Sequence, residues 1–210
     1  MNVFRHPFTL LLVGPTGSGK TYFIRNLIAS PLIIQPAIQR IVFCFGENQP
    51  LYNDIARMSP VPIEFVEGFH VPENKTGERI LLIIDDLLTE CSGKKEIINL
   101  FVKGSHHRNI SSILVSQNLF EKGLRTVSLN AHYLVLYRSP RDSLQIQCLG
   151  KQLGDAKFLM EVYKDATKQA YTYLVIDLHP LSQTTQYRTN IFNEKGSYPI
   201  IYYKKNEKNN

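Results

Sequence analysis

Residues 14–21, Gly-Pro-Thr-Gly-Ser-Gly-Lys-Thr, constrain this chain more than any other stretch. Glycine, four residues, then Gly-Lys-Thr is the spacing of a phosphate-binding loop. Gly14, Gly17 and Gly19 let the backbone turn its N–H groups toward phosphate oxygens. Lys20 is placed to reach β- and γ-phosphates, and the Thr21 hydroxyl to join the shell of a Mg²⁺ ion. The motif needs a buried strand before it and a helix after it. The apolar run 8–13 and the helical pattern 22–29 supply both. The expectation is a nucleoside triphosphate with Mg²⁺, held by Gly14, Pro15, Thr16, Gly17, Ser18, Gly19, Lys20, Thr21 and Tyr22. The competing reading is a glycine-rich surface turn.

The rest of the chain alternates in a way that suits such a loop. Buried strands are predicted at 40–46, 79–86, 110–118 and 132–137, with a short one at 63–66 and a polar loop at 67–78. Helical patterns fall at about 50–58, at 94–106 with Ile97, Leu100 and Phe101 on one face, and within 119–127. Ser139 followed by Pro140 has the form of a helix N-cap and first turn, with Ile146, Leu149 and Leu153 as the apolar face. Gly154-Asp155 restarts a helix whose face is Leu159, Val162, Tyr163 and Ala166. Clusters of β-formers at 171–177, 187–192 and 198–203 read as strands added at a sheet edge. Strands alternating with helices imply a three-layer α/β domain with a mostly parallel sheet. One domain spans 1–203, and 204–210 is a polar basic tail.

Composition narrows the setting. Hydrophobic residues at 43% and charged residues at 20% suit a soluble globular chain, and the net charge of +6 leans toward a nucleic-acid partner. Cys44, Cys91 and Cys148 are odd in number and scattered, against a disulfide framework or a zinc site and for a reducing compartment. No run approaches the length of a membrane span. Cytosol or nucleus is expected, with no membrane partner.

Leu81 to Ile84 ahead of Asp85-Asp86 form a Walker B pattern. Asp85 would hold the Mg²⁺ ion, and Asp86 would orient and deprotonate the attacking water. A strand ending in a polar turn is the plain alternative.

Taken together, the phosphate loop, IIDD and HHRNISSILVSQN resemble the FtsK–HerA superfamily of DNA-pumping ATPases. YLVIDLHPL and YRTNIF resemble the viral genome-packaging ATPases, nearest to those of Maverick/Polinton-type elements and adintovirus-like viruses, in the poxvirus-type branch. The resemblance covers about residues 8–192. It implies ATP as the nucleotide and a RecA-like P-loop NTPase fold of the additional-strand catalytic-glutamate type, with strand order 5-1-4-3-2. It makes Gln117, with Asn118 beside it, the polar sensor of the γ-phosphate or attacking water; capping of the next helix is the alternative. It further implies a homo-oligomeric ring, a pentamer or hexamer, in which an arginine completes the neighbour's site. Arg108 is the preferred finger, ahead of Arg125, Arg138 and Arg141, with an ordinary exposed arginine as the alternative. Double-stranded DNA and a capsid or portal protein are the implied partners, at sites of virion assembly in the host cytoplasm or nucleus. One departure stands out: the wider family has glutamate where this chain has Asp86.

Two other classes compete. A nucleotide kinase would need an arginine-rich lid and has no use for a water-activating carboxylate. A nucleotide switch would need a base-specificity motif such as NKxD, which the chain lacks. Lys94, Lys95 and Lys103 could line a DNA pore or form a charged helix face. His106-His107 lack the i, i+4 spacing of a helical metal site.

Overall fold

Strands such as TLLLV and ILLIID leave no polar face, so both sides of the sheet they form must be covered. In a computed structural model of the chain, which describes residues 4–87, 94–104, 108–120, 125–182, 186–192 and 198–204, they are. In chain order the elements are β1 (Phe4–Arg5), β2 (Thr9–Val13), α1 (Lys20–Ala29), β3 (Ile34–Gln35), β4 (Arg40–Phe45) and α2 (Leu51–Met58). Then come β5 (Ile63–Glu67), β6 (Ile80–Asp85), α3 (Lys94–Asn99) running into a π-helical turn at Leu100–Gly104, β7 (Ile110–Ser116) and α4 (Arg125–Leu129). The last are β8 (Tyr133–Tyr137), α5 (Ser143–Gln152), α6 (Ala156–Ala166), β9 (Tyr173–Asp177), β10 (Gln186–Thr189) and β11 (Ile200–Tyr202).

Nine strands form one sheet in the order β11-β10-β9-β8-β2-β7-β6-β4-β5. The six from β8 to β5 are parallel. β9, β10 and β11 extend the other edge antiparallel. With the edge strand β5 set aside, β8-β2-β7-β6-β4 is the 5-1-4-3-2 order. The strand period of two sorts the core. Leu10 and Leu12 of β2 face Phe23, Ile24 and Leu27 of α1 and Ile55 of α2. Leu11 and Val13 face the opposite layer, built from Ile97, Val127, Ile146, Leu149, Leu159 and Val162. The fold is α/β in three layers.

Several boundaries differ from the sequence reading. α1 begins at Lys20, inside the loop motif, because Gly19 already occupies the N-cap. Ser139 does not cap α5: its N–H donates to the Tyr163 hydroxyl (2.9 Å), which ties it to the end of β8. Asp142 takes the N-cap position, after a turn closed by its N–H to the Ser139 carbonyl (3.2 Å). Asp155 caps α6, accepting from the Phe158 N–H at 3.0 Å. The added strands are shorter than 187–192 and 198–203. A two-stranded parallel ribbon, β1 with β3, was not expected. Residues 105–107, with His106-His107, and 205–210 of the basic tail lie outside the described residues, as does the Lys94 side chain. Among the described residues no helix is long and apolar enough to cross a membrane.

One buried ion pair fastens the added strands to the sheet. Arg188 of β10 donates to Asp177 Oδ2 of β9 at 3.0 Å, with the two side chains only 5% and 6% exposed. Asp177 Oδ1 also accepts from the His179 N–H and the Ser182 hydroxyl, both at 3.0 Å. Asp177→Ala removes the carboxylate that pairs with Arg188 and that accepts from the His179 N–H and the Ser182 hydroxyl, and is expected to lower stability by about 2–4 kcal/mol in chemical denaturation. An Asp177→Leu, Arg188→Met double variant should recover most of that loss, because a packed apolar pair replaces the ion pair.

Candidate active site

Parallel strands bring their C-terminal ends to one edge, and the polar residues that end four neighbouring strands meet there. The loop after β2 hangs from β7 through the Gly14 N–H to the Ser116 carbonyl (3.2 Å). Gly17 (φ 77°) and Gly19 (φ 106°) take left-handed conformations that a side chain would strain. Gly14 is fixed by space: a Cβ there would lie 2.6 Å from Tyr137 Cβ and 2.7 Å from Ser18 Oγ. From β8, the Tyr137 hydroxyl donates to the Gly19 carbonyl at 3.1 Å. The first turn of α1 holds no acid, so the positive end of its dipole is left for an anion. Ser18 Oγ is buried in this cradle without a hydrogen-bond partner among the described residues. Backbone donors, a lysine and a helix N-terminus together fit a polyphosphate.

Lys20 Nζ donates to the carbonyls of Gly14 (2.6 Å) and Pro15 (3.0 Å). Burial pulls its pKa down, and the charges of Asp85 and Asp86 oppose that shift. Asp85 closes β6 and is only 4% exposed. Its Oδ2 accepts from the Tyr52 hydroxyl at 3.0 Å. Tyr52 stands on α2, packed against Phe43 (4.8 Å between ring centroids), Phe45 (5.4 Å) and Phe65 (5.7 Å). Burial pushes the Asp85 carboxyl above its usual range; the Tyr52 hydrogen bond and the Lys20 charge act downward, and Asp86 upward. Asp86 leaves the strand in a left-handed conformation (φ 56°) and is exposed. Gly46 makes room for it, since a Cβ there would sit 3.1 Å from the Asp86 carbonyl. Thr21 and Asp85 offer the hard oxygen ligands that suit Mg²⁺.

Gln117 lies one residue beyond β7, exposed, on a turn in which the Ser116 hydroxyl donates to the Asn118 carbonyl (2.8 Å). Lys20, Thr21, Asp85, Asp86 and Gln117 line one cavity of about 350 Å³, together with Thr16, Gly17, Gly19 and Tyr22. Pro15, Thr16, Gly17 and Ser18 line a neighbouring cavity of about 410 Å³. Asn118 lies outside both.

Arg108 is not brought to this edge. It precedes the N-terminal end of β7, and seven residues of strand put it roughly 20 Å from Gln117. It borders another cavity, with His70, Glu96 and Lys103. Arg138, read above as one of several possible fingers for a neighbouring subunit, lines the cavity beside Pro15–Ser18 of its own chain. Tyr52, Tyr137 and Tyr171 escaped the sequence reading. Tyr52 meets Asp85 from 33 residues away, and no local pattern announces such a contact.

No protein-family model matches the chain, and no curated protein matches it. Among solved structures it is similar to the genome packaging NTPase B204 of Sulfolobus turreted icosahedral virus 2, determined in complex with ATP-gammaS. That likeness has a TM-score of 0.51 at 18% identity and covers 86% of this chain and 96% of that one. The Legionella pneumophila ATPase DotB shows a weaker likeness, with a TM-score of 0.34 at 12% identity over 79% of this chain and 54% of that one. The B204 likeness is one of fold, and it agrees with the three-layer α/β architecture with its mostly parallel sheet.

Asp85 carries a stability cost that can be measured. A carboxyl whose folded-state pKa lies above its unfolded value favours the fold while protonated and weakens it once ionised. Asp85→Asn is therefore expected to melt above the wild type at pH 7, with the difference shrinking as pH falls toward 4. Thermal melts across that range check the sign. Tyr52→Phe keeps the ring packing but removes the bond that orients Asp85. It should weaken Mg²⁺-dependent nucleotide binding by about 10-fold or more, read from Mg²⁺ titrations at fixed ATP.

Proposed function

We propose that this chain is a Mg²⁺-dependent ATPase, one subunit of a homo-oligomeric ring (pentamer or hexamer), that drives double-stranded DNA into a viral capsid. The observation that carries the hydrolytic part is the single cavity joining Lys20, Thr21, Asp85, Asp86 and Gln117. The loop N–H groups and Lys20 bind the phosphates. Thr21 and Asp85 would hold a Mg²⁺ ion, which would supply positive charge to offset the negative charge of the phosphates. Asp86 stands beyond the strand and open to water, where it takes the proton of the attacking water. Gln117, just beyond the strand that lies between the phosphate-loop strand and the Asp85 strand, orients that water.

The packaging role rests on the resemblance in HHRNISSILVSQN and YLVIDLHPL, supported by the fold shared with B204. The net charge of +6 suits a polyanionic track. Virion assembly sites in the host cytoplasm or nucleus are the proposed location. Arg108 is the proposed finger, acting on a neighbouring subunit, where such a group contributes ~10³–10⁵ in rate.

Hydrolysis of ATP in low salt, with and without double-stranded DNA, tests the motor. DNA should raise the rate, and a rate indifferent to DNA would remove the translocation reading. Transfer of the γ-phosphoryl group to a nucleoside monophosphate would mark a kinase instead. Lys20→Ala should abolish turnover, and Asp86→Asn should lower kcat by about 10²–10⁴ while ATP still binds. Arg108→Ala subunits, inactive alone, should regain activity in mixed rings with Lys20→Ala subunits. Mixed rings that form without rescue would count against a role in trans.

A further inference from the structure

A cavity of about 760 Å³ continues from the phosphate loop along the outside of α1. It shares Gly19, Tyr22 and Tyr171 with the cavity that holds the carboxylates. Gly19, Tyr22, Phe23 and Asn26 border it at spacing i, i+3, i+4 and i+7, a single face of the helix. From 19 to 26 that face runs roughly 10 Å at 1.5 Å per residue, the reach of a ribose and base beyond phosphates seated at the helix N-terminus.

The opposite wall is the turn between α6 and β9. The Thr172 N–H donates to the Gln169 carbonyl at 3.4 Å, and the Thr172 hydroxyl donates to the same oxygen at 2.8 Å. Tyr171 is the third residue of that turn, with φ 64°. A type II turn gives this position to glycine or asparagine, and a tyrosine there is strained. The strain gains no burial, because Tyr171 is 70% exposed. Its ring lies against the loop instead, with Cδ1 3.3 Å from where a Cβ on Gly19 would stand. A strained, exposed aromatic at the mouth of a phosphate cradle points to a ligand surface. Gln169 and Asn190 add amide groups that can donate to and accept from a base edge.

We infer that this cavity is a nucleobase site that takes a purine ring stacked on Tyr171. The inference rests on the reading of residues 14–21 as a triphosphate site. Every base offers a π-face, so stacking alone is tolerant. The larger purine face gains more of it, and the preference for purine follows from that area.

The test compares ATP, CTP and inorganic tripolyphosphate, each with Mg²⁺, by titration calorimetry on the wild type, Tyr171→Gly and Tyr171→Phe. Tyr171→Gly relieves the turn, so it should melt at or above the wild-type temperature. It should bind ATP roughly 10-fold more weakly, the loss of one base–aromatic stack, and bind tripolyphosphate as before. Tyr171→Phe should keep wild-type ATP affinity. The wild type should favour ATP over CTP, and Tyr171→Gly should narrow that gap. Unchanged ATP affinity in Tyr171→Gly overturns the stacking role. A parallel loss of tripolyphosphate makes Tyr171 a prop for the loop and equally overturns it. Equal binding of ATP and CTP by the wild type removes the purine preference. Wild-type binding of tripolyphosphate with no gain for ATP sinks the base site and leaves the phosphate loop standing. Binding of neither sinks both.

Discussion

Tyr137 and the glycines of the phosphate loop form the contact on which the site depends. The Cβ of Tyr137 fills the space that a Cβ at Gly14 would need, and the hydroxyl of the same residue holds the Gly19 carbonyl. The Tyr137 carbonyl in turn accepts from the Tyr163 hydroxyl of α6 at 2.9 Å, and the same Tyr163 oxygen accepts from the Ser139 N–H. The loop is thus clamped at both glycines by a strand that is itself pinned to a helix of the other layer. A flexible, glycine-rich segment acquires a fixed shape from a neighbouring strand and from Lys20, which donates to the Gly14 and Pro15 carbonyls. That leaves its N–H groups free of side-chain partners, as an anion site requires.

Asp85 and Asp86 show how one strand end can give neighbouring carboxylates opposite environments. In a strand, adjacent side chains point to opposite faces. Here the left-handed turn at Asp86 adds a change of direction, made possible by the bare backbone of Gly46. Asp85 stays buried, oriented by Tyr52 and facing Lys20, the environment that the proposed cation ligand needs. Asp86 emerges into water, which suits a group that must exchange a proton. The burial that fixes Asp85 also raises its pKa, so its ionised form is held at some expense to the fold.

The fold was legible because its signals are periodic or local. Runs buried on both faces, helical faces such as Leu159, Val162, Tyr163 and Ala166, and the glycine spacing of the loop each announce themselves within a dozen residues. The 5-1-4-3-2 order came from resemblance, since strand order is a matter of long-range pairing. What remained hidden was also long-range. β1 and β3 are two residues each, too short to show a period. Ser139 has the chemistry of a helix cap, yet its N–H donates to Tyr163 from 24 residues away, and the helix starts later, with Asp142 in the N-cap position making no side-chain cap bond. Tyr52 and Tyr171 read as ordinary aromatics until the sheet carries α2 and the α6–β9 turn to the loop. The carboxylates, lysine and glutamine of the site could be read because each ends a recognisable strand or motif. The tyrosines that position them could not.

The polarity of the parallel sheet also separates the arginines, which the sequence ranked only by resemblance. Gln117 and Arg108 flank the same strand, β7, at opposite ends. Any arrangement that puts Gln117 at the nucleotide therefore puts Arg108 roughly 20 Å away in the same subunit. Arg108 can act on a nucleotide only across an interface, with the β7 N-terminal edge of one subunit turned toward the β7 C-terminal edge of the next. Such head-to-tail contacts are heterologous, and they close into a ring when the rotation between neighbours allows it. Arg138, at the C-terminal end of β8, has the opposite geometry: it stands beside its own loop and needs no neighbour to reach it. The two arginines thus make separable demands on assembly, one requiring a partner and the other none.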